Sequence, residues 1–272
     1  WIKVARTRIV KYSLNRAAER VGLQLKQREN PLPLNRSEQE ETDRTLSQFS
    51  CQASYYNKSE NARPLQCCAI TPYLDANSSQ HGRYDIIFGN LGGDITIWNE
   101  HGTMKRKICA HEERITGVDI MPFTNGVARS SENMKFISCS ADGLVKLWNS
   151  NGDELACYDV YSASNKHKLT KYSIRSRQRL GKCAFHPIGD YFAATSYDRT
   201  WSLWDVHKSD VVLLRQEGHS TSVHCCGFHP DGSLIATGDL GGIVRIWDLR
   251  SGRAIWGGDS HAKTVLAVDF NA

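Results

Sequence analysis

No stretch of about 18 apolar residues occurs in this sequence. The longest apolar runs, such as Val211-Val212-Leu213-Leu214, are the length of a strand, which excludes a membrane-spanning helix. The nine cysteines contain no Cys-x-x-Cys pair, although Cys67-Cys68 and Cys225-Cys226 are adjacent. Cys109, Cys139 and Cys183 lie inside apolar, strand-like runs, so they read as small buried hydrophobes of a reducing compartment rather than as metal ligands or a disulfide framework. Also missing are a P-loop, G-x-S-x-G, H-E-x-x-H and G-x-G-x-x-G; Gly89-Asn-Leu-Gly-Gly93 has the wrong spacing and falls between strands. These absences argue against an enzyme and leave no expected cofactor, metal or small-molecule substrate. Trp1 to Lys11 carries too many charges for the apolar segment of a signal peptide. The start at Trp1 and the stop at Ala272 suggest a piece of a longer polypeptide.

What is present is an ordinary globular composition. The 272 residues are 40% hydrophobic, 23% charged and 9% aromatic, enough to bury a sizeable core. The formal charge of +5 is unevenly placed. Residues 1–29 hold eight Lys/Arg against Glu19 and Glu29, a net +6, and the remaining 243 residues sum to −1. A second cationic stretch runs from Asn165 to Lys182, with Lys166, Lys168, Lys171, Arg175, Arg177, Arg179 and Lys182 and no acidic residue. A solvated loop is one reading of it. The other is a surface that meets phosphates or an acidic partner, with Tyr172 stacking a base and Tyr197 and Arg199 extending the patch.

An internal repeat organises the rest. Four segments end alike, at Trp98-Asn, Trp148-Asn, Trp204-Asp and Trp247-Asp, spaced 50, 56 and 43 residues apart. Each follows a β-rich run and a turn rich in Gly or Asp. Phe185-His-Pro187 and Phe228-His-Pro-Asp-Gly232 close shorter strands upstream, and His111, His219 and His261 recur ahead of the first strands. The units fall at about 64–109, 112–160, 178–216 and 220–257, with Lys263–Phe270 expected as the first strand of a fifth.

Residues 1–60 lack the repeat. Val10, Leu14, Ala17, Val21 and Leu25 fall near helical spacing among Arg and Lys, so residues 2–28 form one amphipathic basic helix, or two with Ser13 capping the second. Asn30-Pro31-Leu32-Pro33 ends it. Ser37-Glu-Gln-Glu40 is a capping box for a further helix over 38–49, with Leu46 and Phe49 inward. The arm either packs across the β domain or presents Arg6, Arg8, Lys11, Arg16 and Arg20 to RNA or an acidic partner. The chain thus divides into a basic helical arm, 1–60, and a β-repeat domain, 61–272.

The four Trp-Asn/Asp units resemble the WD40 family. The resemblance implies an all-β propeller of four-stranded blades: four blades and one strand of a seven-bladed ring, preceded by the helical arm. It also implies a structural hydrogen-bond network joining a His, a turn Asp and the Trp. The second unit has His111, Asp142 and Trp148. The third has Asp198 and Trp204 but Ser176 at the His place. The fourth has His219 and Trp247 with Gly241 at the Asp place, and the first has Gly92 there. On this alignment only the second unit is complete. A His-Asp pair that recurs with the repeat, without a nucleophile elbow, is structural rather than catalytic.

A closer resemblance covers the arm as well. Ala5-Arg-Thr-Arg-Ile-Val-Lys-Tyr-Ser-Leu-Asn-Arg-Ala17, Thr195-Ser-Tyr-Asp-Arg-Thr-Trp-Ser-Leu-Trp-Asp205, Gln216-Glu-Gly-His219 and Trp247-Asp-Leu-Arg-Ser-Gly-Arg253 are similar to the pre-mRNA processing factor four family, the WD40 subunit of the U4/U6 small nuclear ribonucleoprotein. That resemblance implies a nuclear, non-enzymatic scaffold of the U4/U6 and U4/U6.U5 particles. Its implied partners are a processing factor three-like subunit, other tri-snRNP proteins and, directly or indirectly, the U4/U6 snRNA. The reading from another class is a general WD40 adaptor, such as a ubiquitin-ligase substrate receptor or a signalling scaffold. No F-box-like module is seen in the arm to favour it.

Overall fold

The computed structural model describes residues 1–29, Arg44 and Ser47, 63–72, 84–122, 134–160, 178–209, 211–259 and 261–270. Among the described residues one long helix, α1 (Ile2–Glu29), precedes sixteen strands. These form four four-stranded antiparallel meanders: β1 (Leu65–Pro72) to β4 (Met104–Cys109), β5 (Ile115–Ile120) to β8 (Glu154–Asp159), β9 (Leu180–Phe185) to β12 (Val212–Gln216), and β13 (Val223–Phe228) to β16 (Arg253–Asp259). Strand two of each sheet (β2, β6, β10, β14) and strand three (β3, β7, β11, β15) carry most of the buried apolar residues, while strands four (β4, β8, β16) are largely exposed.

The first strands β1, β5, β9 and β13 stand side by side, so close that only small residues fit between them. A Cβ on Gly181 of β9 would lie 2.6 Å from the His224 carbonyl oxygen, and one on Gly227 of β13 would lie 2.8 Å from that of Val268. The sheets pack face against face. Ile87, Ile95 and Ile97 of the first sheet meet Phe136 and Trp148 of the second. Ile137 and Leu147 of the second meet Phe192 and Trp204 of the third. In the third and fourth, Trp201 and Trp247 meet edge-on with centroids 5.7 Å apart. The recurring Trp therefore seals each sheet against the one before it.

This meander gives the molecule two faces. The turns between second and third strands, and the connectors between sheets, lie on one face, here called upper. The turns between first and second strands, and between third and fourth, lie on the lower face. At the upper turns the chain needs a left-handed residue, supplied by Gly93, Gly143 and Gly242 in the first, second and fourth sheets. A Cβ at Gly93 or Gly242 would run into the carbonyl oxygen of His111 or His261, where the connector crosses over. The third sheet places Arg199 there, at φ 72°, the one non-glycine residue with positive φ among those described. Its connector carries Gly218 at φ 148°, where the first sheet's connector has Ala110.

The structure decides between the two readings of the arm helix and corrects two other expectations. The arm helix is continuous from Ile2 to Glu29, with no joint at Ser13, which is fully buried. The inward face is Ala5, Ile9 and Ser13, not the Val10–Leu25 series, of which Leu14, Val21 and Leu25 are exposed. The reason is that the docking surface is decided by the sheets, and α1 has apolar residues on both sides. Lys263–Phe270 forms no strand. It runs against β13, with Val268 beside Gly227, and the Val265 N–H donates to the Asp239 carbonyl at the end of β14 at 3.1 Å, but no described second strand pairs with it. Of the helix expected over 38–49, Arg44 and Ser47 are described and are helical, the Ser47 hydroxyl donating to the Arg44 carbonyl at 2.7 Å; Leu46 and Phe49 lie outside the described residues.

Candidate partner-binding faces

On the upper face the His and Asp residues belong to networks that start in the strands. In the second sheet the His111 Nδ1 lies 2.8 Å from the Asp142 Oδ2, and its Nε2 lies 2.8 Å from the Ser138 hydroxyl, which also accepts the Trp148 indole N–H at 2.9 Å. Burial works to raise the Asp142 carboxyl, but the His111 hydrogen bond and charge, with the Leu144 amide, hold it below the ordinary carboxylate range. The fourth sheet holds an equally complete network. His219 bonds the Asp239 carboxylate at 2.9 Å and the Thr237 hydroxyl at 2.7 Å, and that hydroxyl accepts the Trp247 N–H at 2.8 Å.

The acid is thus Asp239, two residues before the Gly241 at which the alignment looked for it. From there its other oxygen accepts the Gly241 and Ile243 amides, both at 2.9 Å. Asn90 does the same for the Gly92 and Asp94 amides in the first sheet. In the third sheet the groups separate. Asp198 pairs with Arg215 of β12 and accepts the Thr200 hydroxyl at 2.7 Å, while Trp204 donates to Ser202 of its own strand at 2.8 Å. Ala194 occupies the place of Ser138 and Thr237 and has no hydroxyl to offer. Ser138 and Thr237 were legible as a hydroxyl ten residues before the Trp, a spacing the His-Asp-Trp pattern left out. These groups are buried in mutual bonds and organise turns, so the upper face presents its connectors and turn tips.

Beside them stand the described members of the cationic stretch. Arg179 is exposed, and its carbonyl accepts the Tyr197 amide at 2.9 Å, tying the stretch to the β10–β11 turn. The Tyr197 hydroxyl lies 3.4 Å from the His224 Nδ1, and the rings meet edge-on. Burial, then the Arg114 and Lys182 charges, push the His224 imidazole below its ordinary pKa. Arg114 and His224, which the charge pattern did not single out, therefore share a positive neighbourhood with Lys182. Arg199 is exposed in the same turn as Tyr197. Lys166, Lys168, Lys171, Tyr172, Arg175 and Arg177 lie outside the described residues. Lys182 also lines a groove of about 750 Å³ between the first strands, whose other charged lining is Asp119 and Asp269.

The lower face carries α1. Arg8 reaches Asp190 at 3.3 Å, in the β9–β10 turn, and Arg20 reaches Asp231 at 3.0 Å, in the β13–β14 turn, so the helix bridges the third and fourth sheets. Between them the Tyr12 hydroxyl donates to the Pro187 carbonyl at 3.4 Å, and Arg16 packs over the Tyr12 ring and bonds its hydroxyl. Arg6 lies against Gly252, in the β15–β16 turn, and Lys208 sits over the Trp1 ring. Of the five cations singled out in the arm, only Lys11 makes no such contact among the described residues, and it faces outward. The arm and the described end of the cationic stretch, at Arg179, lie on opposite faces.

Comparison with known proteins places the repeat. The WD40 model (WD domain, G-beta repeat) matches residues 102–149, 174–205 and 211–248, so these three segments are WD40 repeats. It is 26% identical over 194 residues, 70% of its length, to pre-mRNA-processing factor 19 homolog 2 of Arabidopsis thaliana, covering 33% of that protein. It is 29% identical over 180 residues, 66% of its length, to U3 small nucleolar RNA-associated protein 21 of Saccharomyces cerevisiae, covering 16% of it. It is 26% identical over 178 residues, 62% of its length, to human apoptotic protease-activating factor 1, covering 12% of it. The chain spans a third or less of the length of these relatives. Among the described residues no helix is long and apolar enough to cross a membrane.

Proposed function

We propose that this chain, with its WD40 repeats, is a nuclear, non-enzymatic scaffold of pre-mRNA splicing, and that it works within the U4/U6 and U4/U6.U5 particles as part of a larger, seven-bladed propeller. Its partners would be a processing factor three-like subunit, other tri-snRNP proteins and the U4/U6 snRNA. The observation that carries the reading is the arm. The Ala5–Ala17 segment, which resembles the helix preceding the propeller in the processing factor four family, is built into the lower face through Arg8–Asp190 and Tyr12–Pro187, with Arg20–Asp231 beyond its end. Similarity through the repeats alone reaches an apoptotic protein as readily as a splicing factor, whereas the arm lies outside them. Four-stranded sheets that expose turns and edges suit macromolecular partners.

The upper face is the proposed RNA-contacting surface, with Lys166, Lys168, Lys171, Tyr172, Arg175, Arg177, Arg179 and Lys182, extended by Tyr197 and Arg199. The test is to purify the tagged chain from nuclear extract and probe for U4 and U6 RNA. Co-purification of both is expected. Recovery of ubiquitin-ligase or signalling subunits without either RNA would instead favour the adaptor reading. Changing Arg175, Arg177 and Arg179 to Gln should weaken assembly and flatten its log–log salt dependence by nearly one unit for each phosphate no longer neutralised. An unchanged slope would remove the RNA role of this stretch.

A further inference from the structure

We propose that the outward side of α1 is a docking seam for an acidic amphipathic helix of a partner protein. One side of α1 is accounted for: Ala5 and Ile9 join the core between the third and fourth sheets, and Ser13 is buried with them. The other side is not. Leu14 is 58% exposed, Val21 45% and Leu25 51%, and Ala18 between them is exposed as well. A surface helix that serves only its own fold keeps that side polar.

The spacing identifies the kind of partner. Leu14, Ala18, Val21 and Leu25 follow one another at steps of four, three and four, the alternation at which side chains of one helix enter the holes of another. A strand or an irregular peptide does not repeat at that period. From Leu14 to Leu25 the seam runs about 16 Å along the axis, at 1.5 Å per residue. Three residues before Leu14, at the next position of the same alternation, stands exposed Lys11, and exposed Lys26 follows Leu25.

Charge then chooses among helices. Residues 1–29 carry a net +6, and among the described residues only Arg8 and Arg20 of this segment are paired with carboxylates of the sheets. Two copies of α1 laid together would bring like charges into one seam, which opposes self-association. A helix with Glu or Asp flanking its apolar stripe meets the same cations favourably, and flanking charges set partner choice in such pairs.

The experiment uses the full chain and a labelled synthetic peptide of three heptads, with Leu at the two core positions and Glu at the flanking ones. Fluorescence anisotropy at physiological salt should show saturable binding, and a peptide with Lys in place of Glu should not bind at the same concentrations. Changing Leu14, Val21 and Leu25 together to Ala keeps helix propensity and removes only exposed side chains. This variant should unfold at the same temperature and bind the acidic peptide at least about tenfold more weakly, about 1.4 kcal/mol. Absence of binding, or binding indifferent to the variant, overturns the proposal. So does a dimer in sedimentation that the variant abolishes, which would give the seam to a second copy. Cross-links from Lys11 or Lys26 to the acidic residues at 38–43 that vanish in the variant would give it to the chain's own segment, and also overturn it.

Discussion

The Asp239 carboxylate accepts from two turn amides with one oxygen and bonds His219 with the other, while Asp142, two positions further along its own turn, bonds His111 with one oxygen and accepts the Leu144 amide with the other. A carboxylate is short, but the upper turn is tight enough that either position reaches the imidazole. The two acids are therefore equivalent in role, although the repeat pattern aligns only one of them. Replacing Asp142 or Asp239 with Ala leaves a buried imidazole nitrogen and turn amides without their acceptor. Each change should cost about 1–3 kcal/mol in chemical denaturation. Asp239→Ala should be the more damaging, because that carboxylate is fully enclosed and serves two amides. Arg199 makes the opposite prediction. It holds at φ 72° a conformation that glycine adopts at the equivalent place in the other three sheets. Arg199→Gly should raise stability by roughly 1 kcal/mol, as a shift in the denaturation midpoint, since the left-handed conformation costs a side-chain residue about that much. If the same variant weakens assembly of the particle, the strain is retained for contact rather than for folding.

At the scale of elements, α1 is held by packing more than by its ion pairs. Ile9 is 1% exposed in the core shared by the third and fourth sheets, so Ile9→Ala should cost about 2–5 kcal/mol of α1 docking, read as faster amide exchange along the helix. Arg8→Gln removes a pair whose side chains are 56% and 34% exposed, and should change exchange little. The turn beneath α1 adds a pH dependence. The His186 Nδ1 accepts the Ile188 amide at 3.1 Å, so its Nε2 carries the proton it donates to the Gly232 carbonyl at 2.8 Å, and the ring is neutral. Burial pushes this imidazole down to about 4. Between pH 6.5 and 4 the unfolded chain takes a proton that the folded chain refuses, so stability should decline as pH falls through that window. The loss is about 3 kcal/mol at most. His219 and His224, also held below the ordinary value by burial, act in the same direction. His186→Gln should flatten the slope of unfolding free energy against pH without abolishing it.

At the scale of the whole molecule, α1 and the described end of the cationic stretch lie on opposite faces. Arg8 and Arg20 reach the lower turns at Asp190 and Asp231, and Arg179 is tied to the upper turn at Tyr197. Changes to the α1 seam and to Arg179 and Arg199 should therefore be additive in their effect on assembly, within about 0.5 kcal/mol, when the combined variant is compared with each alone. A coupling well above that would mean that one partner wraps both faces. The sheets themselves are coupled through their first strands. Asp119 of β5 accepts the Phe185 amide of β9 at 2.7 Å, and burial raises its carboxyl to about 6 against that bond and the Lys182 charge. Asp269 bonds the Phe270 amide at 2.9 Å just as Asp119 bonds that of Ile120.

The four sheets were legible in the sequence because their signals are local. A Trp closing an alternating strand, a glycine where the turn needs a left-handed residue, and a His ahead of the first strand all recur within one unit, and the structure sets them in four antiparallel meanders. The helix of the arm was legible for the same reason, from its spacing and from the prolines that follow it. The docked side of that helix was not. Its two sides are both apolar, and only the third and fourth sheets, about 180 residues further along the chain, decide that Ala5 and Ile9 turn inward and Leu14 and Leu25 outward. The acid of the fourth sheet escaped for a related reason, since a side chain that reaches back across a turn leaves no mark on the repeat. Periodicity records how each element meets its neighbours in sequence; which distant surface it meets, and on which face its charges then stand, is decided when the sheets come together.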